Sequence, residues 1–174
     1  MNKKVLKLFG IVLFSLLIIS PLVKIIKAES TDTVNATVTA GLYSVEVADG
    51  DVSFGTVTTN STKTATDVGE TQAAINSGTM ATKLNIQGSN TSSTGIGWTL
   101  DTTAGTNVYT MKFCLNCGGT GPWTSVGIPS AYEVLKASLD IGETQSFDLQ
   151  IGTPVTTAET AQQATTITIQ AGAT

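Results

Sequence analysis

The chain reads as an all-β protein: a single antiparallel β-sandwich or jelly roll preceded by an N-terminal signal-peptide helix. Three observations predict this. Apolar residues recur with a period of two along most of the chain, turn residues fall between the alternating runs at short intervals, and the first 28 residues differ in composition from the rest. Period-two alternation marks strands with one buried and one wet face. The abundance of threonine fits, because a β-branched side chain suits the outer face of a pleated strand.

The opening segment, MNKKVLKLFGIVLFSLLIISPLVKIIKAES, has the layout of a secretory signal peptide. Lys3, Lys4 and Lys7 form a basic start, no charge lies between Leu8 and Val23, Pro21 breaks the helix, and a small Ala28 precedes Glu29. The uncharged run is short for a membrane span of roughly 20 residues, so an uncleaved anchor is the minor alternative and the sole expected route to a membrane. Cleavage after Ala28 leaves residues 29–174 as one domain with no internal repeat or linker, secreted or on the cell surface.

Cleavage also changes the charge. Five of the nine basic residues depart and all 13 acidic residues stay, so the mature chain has 4 lysines against 13 acids, a net charge of −9. Such a surface repels phosphate backbones, and no nucleic-acid partner is expected.

In chain order, the first strand pattern is VNATVTAGLYSVEV, with Val34, Ala36 and Val38, then Tyr43, Val45 and Val47, alternating with polar residues. Its beginning, residues 29–40, has the character of a detachable N-terminal strand able to complete a neighbour's sheet. Asp49-Gly50 then signals a two-residue hairpin between SVEVA and DVSFG. KLNIQ sets Leu84 and Ile86 on one face and ends at Gly88-Ser89-Asn90, and Trp98 and Leu100 alternate in GWTL. YTMKF aligns Tyr109, Met111 and Phe113. AYEVLKASL, residues 131–139, is the one stretch compatible with a short helix, and AETAQQA with a single helical turn. DIGETQ places Gly142 in a hairpin turn leading to SFDLQI, where Phe147, Leu149 and Ile151 face inward, and TTITIQA closes the chain with Ile167, Ile169 and Ala171. About eight to ten strands with frequent turns make a sandwich or jelly roll.

These strands also carry a resemblance. VSFGTV, WTL at 98–100, LDIGETQSFDLQIGTP and the final TITIQA together resemble Ig-like β-sandwich surface proteins of bacteria, including the WxL-type and the TasA/camelysin-type secreted proteins. The likeness spans most of residues 33–172 through short patterns; Trp123 is followed by Thr124-Ser125 where a WxL domain has a second Trp-x-Leu. It implies a surface or filament role and transfers no catalytic residue.

The side-chain inventory argues against catalysis. Histidine is absent, which removes imidazole bases and Ser-His or Cys-His nucleophiles. The mature chain has no arginine to clamp carboxylate or phosphate. The acids fall at turns (Asp49, Asp51, Glu143) or on strand positions expected to face outward (Glu46, Asp148), where they read as solvated charge. Asp49 and Asp51 flank a glycine but fall short of the six to eight oxygens of a calcium site. No enzyme activity, cofactor or metal is expected. Asn35, Asn60 and Asn90 head N-x-S/T sequons that matter only in a host that glycosylates them.

The two cysteines, Cys114 and Cys117, lie in YTMKFCLNCGGTGPW. A thioredoxin-type site needs a helix N-terminus after the first cysteine, and here a strand leads in and Gly118-Gly119 follows. Zinc wants four ligands, so two cysteines would need carboxylates or a second molecule. Positions i and i+3 of a turn suit a disulfide, which oxidises outside the cytoplasm and closes so small a loop that it contributes about 2 kcal/mol. The expectation is a disulfide that shapes a loop tip. Gly118, Gly119, Pro122 and Trp123 on that tip are the candidate interaction residues, with Trp123 either stacking on a sugar or protein partner or folding back as a lid. The leading functional expectation is a structural surface protein that associates with itself or with other surface proteins. A carbohydrate-binding or adhesive module built on Trp123, and a hydrolase with an acidic pair, follow in that order.

Overall fold

A computed structural model describes residues 33–174, of which 39–174 form one compact unit. The expected signal segment, residues 1–28, lies outside the described residues, as do residues 29–32 of the candidate N-terminal strand. No described helix is long and apolar enough to cross a membrane.

The described residues form ten strands: β1 (Val45–Ala48), β2 (Thr62–Thr64), β3 (Gln72–Asn76), β4 (Thr82–Gly88), β5 (Thr99–Leu100), β6 (Val108–Leu115), β7 (Thr124–Ser125), β8 (Glu133–Leu139), β9 (Thr144–Gly152) and β10 (Ile167–Gly172). A single 3-10 turn, Thr66–Val68, follows β2, and the described residues contain no α-helix. One sheet has seven strands, in the order β1-β3-β9-β6-β5, with β2 also pairing with β9 and β7 with β6. The other has three, in the order β10-β4-β8. The described residues are therefore all-β, with two sheets packed together.

The core lies between these sheets and follows the alternation closely. Leu84 and Ile86 of β4 and Leu135 and Leu139 of β8 meet Tyr109, Met111 and Phe113 of β6 and Phe147 and Leu149 of β9 in one buried cluster. Trp98, Ile151, Ile167, Ile169 and Ala171 pack around it half-buried. Fully burying each large side chain contributes roughly 1.5–3 kcal/mol, so these strands are held chiefly by their inward faces.

Several expectations are corrected. AYEVLKASL is strand β8, not a helix, and residues 158–164 form no helical turn. DIGETQ is not a hairpin turn within one sheet: β8 and β9 belong to different sheets, so Gly142, at φ 74°, sits at a corner between them. Asp49 and Gly50 do take the positive φ of a tight turn (71° and 81°), but residues 51–58 form no strand, and β1 pairs with β3 instead. The buried Gln72 explains how this segment is held. Its Oε1 accepts the Gly50 N–H at 3.1 Å, and its Nε2 donates to the carbonyls of Asp51 (3.1 Å) and Glu70 (3.0 Å). One side chain thus serves main-chain groups that a partner strand would otherwise satisfy. Among the ten strands the pairing is antiparallel except between β5 and β6, which run parallel although consecutive in the chain. Asn107, at φ 54°, and the reciprocal bonds between Gly105 and Val108 turn the chain back so that β6 can enter beside β5.

Tyr109 fixes the end of this sheet to the start of the final strand region. Its hydroxyl donates to the Ser89 carbonyl at 2.5 Å and lies 2.7 Å from Thr165 Oγ1, while its ring stands 6.5 Å from that of Trp98. Burial pushes the phenol up to about 12, opposed by the bond with Thr165. The folded chain therefore holds this proton to higher pH than the unfolded chain, which releases it near 10. The stability from this group is complete below pH 10 and is lost as pH rises to about 12, by roughly 3 kcal/mol. Tyr109→Phe should cost about 1–2 kcal/mol at neutral pH and abolish that part of the alkaline loss. Urea unfolding of both proteins at pH 9 to 12 measures it; parallel profiles would refute the assignment.

Candidate functional site

The loop between β6 and β7 is the site that the cysteines define. β6 delivers Cys114 near its end, and β7 returns antiparallel to it, with Lys112 opposite Ser125 and Phe113 opposite Thr124. Between them the chain reverses through Asn116 (φ 49°), Gly118 (φ 54°), Gly119 (φ 80°) and Gly121 (φ 84°). Positive φ costs a residue with a Cβ, which is why three of these four are glycine and the fourth is asparagine. The reversal brings the Cα atoms of Cys114 and Cys117 to 5.9 Å, and the pair is joined in a disulfide. Thr120 closes the turn, its N–H and hydroxyl both donating to the Cys117 carbonyl (3.2 and 2.8 Å).

The glycines play different parts. Gly118 is exposed, with open space where a Cβ would stand. Gly119 rests on the β2–turn segment: a Cβ there would lie 3.1 Å from Thr66 Cβ and 3.4 Å from Thr64 Oγ1. Pro122 is exposed and follows a cis peptide bond. Trp123 is half-buried, and its indole lies over Gly121, so that a Cβ on that glycine would come within 2.9 Å of Trp123 Cδ1. The ring is folded onto its own loop, while the core-packing tryptophan is Trp98.

Beneath the loop lies a residue that the sequence reading misplaced. Asp148, expected outward and solvated, is only 1% exposed. β9 is a central strand with neighbours on both sides, and its outer face at this point is covered by the segment after β2. The Asp148 carboxylate accepts from Thr66 N (3.1 Å), Thr66 Oγ1 (2.5 Å) and Leu149 N (2.9 Å), all neutral donors. The covering segment is fastened in turn by the Ala65 N–H to the Leu149 carbonyl at 2.7 Å. Reciprocal bonds between Thr64 and Asp67 tighten it further, and the backbone N–H of Thr64 holds the Asp67 carboxyl below its ordinary range.

The β6–β9 register sets Cys114 directly opposite Asp148. Both sulfurs and a carboxylate oxygen consequently lie within 4.8 Å of one another. Alternation alone could have placed Cys114 and Asp148 on the same side of their strands; what it could not supply was the register that makes them neighbours, or the cover that buries them.

A second, shallow hollow is lined by Ser92, Ser93, Thr94, Gln162 and Ala164. Glu159 ties the two loops that border it, accepting from Ala161 N (2.7 Å) and Ile96 N (2.6 Å); these bonds, that from Ala161 first, lower its carboxyl from the ordinary range. The lining has no aromatic face on which a sugar could stack. No family model matches the chain, and neither a curated protein nor a solved structure shows significant similarity to it. What fold and site define is therefore a class, an all-β protein with a disulfide-pinned loop over a buried carboxylate.

Proposed function

We propose that the chain is a secreted or cell-surface structural protein with an antiparallel sandwich of the Ig-like or jelly-roll kind, serving as a subunit of an extracellular filament or coat. Its partners are further copies of itself or other surface proteins, joined by strand complementation. The observation that carries this reading is the state of residues 34–40. They have the alternation of a strand yet form none, and Val34 and Val38 are 93% and 96% exposed. An apolar, β-prone segment left in water is suited to adding a strand to another sheet, where main-chain bonds give affinity and alternate side chains give specificity. Edge strands able to receive it are β8 and β10, which bound the three-stranded sheet; β8 shows Val134 46% exposed. The acidic mature chain and its lack of histidine and arginine agree with a role that involves no catalysis.

The purified chain starting at Glu29 should form concentration-dependent oligomers or fibres, seen by light scattering and electron microscopy. A chain starting at Gly41 should remain monomeric with an unchanged melting temperature, since the described part of the deleted segment, residues 33–40, is exposed and outside every strand. A chain starting at Glu29 that stays monomeric at millimolar concentration would end the proposal.

A further inference from the structure

The Cys114–Cys117 pair is a weak staple for the fold. It spans three positions and so constrains the unfolded chain little. A structural account of the disulfide also leaves Asp148 unexplained. A carboxylate removed from water is costly, and its three donors carry no charge to balance it. Two of the three bonds fall on Oδ1 and one on Oδ2, which leaves Oδ2 with acceptor capacity. Both sulfurs lie within 4.8 Å of a carboxylate oxygen.

We propose that the reduced form of this loop is a metal site in which Cys114, Cys117 and Asp148 bind a thiophilic divalent cation of the zinc class. Thiolates and carboxylates are both zinc ligands, and three protein ligands leave the fourth tetrahedral position to solvent, on the side of the half-buried Cys117. The cation supplies the positive charge that the buried carboxylate lacks. Disulfide and metal are then alternative occupants of one loop. A dithiol reductant passes two electrons and two protons to the Cys114–Cys117 bond and becomes a disulfide itself; the cation then binds the two sulfurs, releasing both thiol protons to solvent. The strand and the cover segment hold Asp148 in place in either state, so the switch is confined to residues 114–121.

The test uses the full mature chain, reduced with a non-chelating phosphine and titrated with Co²⁺ and Zn²⁺ under anaerobic conditions. Co²⁺ should bind one per chain with thiolate charge-transfer absorption in the near ultraviolet, and Zn²⁺ should displace it. X-ray absorption of the zinc form should show two sulfurs at about 2.3 Å and oxygen at about 2.0–2.2 Å. The oxidised chain should bind neither ion. Asp148→Asn, which keeps an acceptor toward Thr66 N and Leu149 N, should weaken Co²⁺ at least tenfold without loss of the β-sheet circular dichroism. Absence of the charge-transfer band, a shell of four sulfurs shared between chains, or undiminished affinity in Asp148→Asn would each overturn the proposal. Should Asp148→Asn fail to fold, the absorption spectrum of the unaltered chain decides alone.

Discussion

Asn76→Ala is expected to lower stability by about 3–4 kcal/mol, through groups the substitution leaves behind and not through lost apolar contact. Asn76 ends β3 in the seven-stranded sheet and is 1% exposed. Its Nδ2 donates to the carbonyls of Met80 and Leu139, both at 2.9 Å, and its Oδ1 accepts from Gly78 N at 3.0 Å. Its main chain adds bonds to the corner before β9, accepting from Gly142 N and donating to the Glu143 carbonyl, both at 3.0 Å. Leu139 ends β8 in the other sheet, so this one side chain ties the two sheets at the corner where the chain crosses between them. Alanine would keep the main-chain bonds and strand three partners, those at Leu139 and Gly78 buried, each at roughly 1 kcal/mol or more. The melting temperature should fall by roughly 10 °C. Asn76→Asp should also destabilise, because an ionised carboxylate cannot donate to either carbonyl. Thermal unfolding followed by circular dichroism reads both; a loss under 1 kcal/mol for Asn76→Ala would show that water replaces the side chain.

The same corner shows what was legible in the sequence. Leu84 and Ile86, Tyr109 to Phe113, and Phe147 to Leu149 announced their strands, because each run alternates apolar with polar residues without interruption and its apolar residues are buried. β8 did not. Its buried residues, Leu135 and Leu139, are four apart with Ala137 between them exposed, a pattern that fits a helix better than a strand. The β4–β8 register explains it, for it shifts between Thr82 and Leu84 and again between Leu84 and Asn85, so β8 carries extra residues against its partner. Bulges of this kind break the period of two from within a strand. Residues 34–40 erred in the opposite direction, with clean alternation and no strand, since pattern alone does not fix a register against a neighbouring strand. The loop at 114–123 was legible as a turn from its glycines, and its disulfide from spacing. Asp148 was not, because burial on the outer face of β9 depends on Thr66, some 80 residues earlier in the chain.

Asp148→Ala should prove as damaging as Asn76→Ala, about 3–4 kcal/mol, and the pattern across substitutions identifies the cause. Alanine leaves Thr66 N, Thr66 Oγ1 and Leu149 N without their acceptor and opens a space under the Gly119 loop. Hydrogen bonds to a charged acceptor are worth about 1.5–3 kcal/mol each, but removing a buried charge recovers part of its desolvation cost, so the three do not add in full. Asp148→Asn keeps the Oδ1 acceptor for both backbone N–H groups, and the Thr66 hydroxyl can rotate to accept from the new amide. Its loss should be about 1 kcal/mol. Thr66→Val removes one bond only and should fall between the two. If the carboxylate's charge itself held the cover segment, asparagine would be nearly as costly as alanine; if its shape and acceptors do, the two separate by at least 2 kcal/mol. Denaturant unfolding of the three variants in the oxidised form, with hydrogen exchange at Ala65 and Thr66, discriminates between these outcomes. Exchange at Ala65, whose N–H meets the Leu149 carbonyl at 2.7 Å, should accelerate in Asp148→Ala well beyond what global unfolding accounts for, because the segment opens before the sheets do.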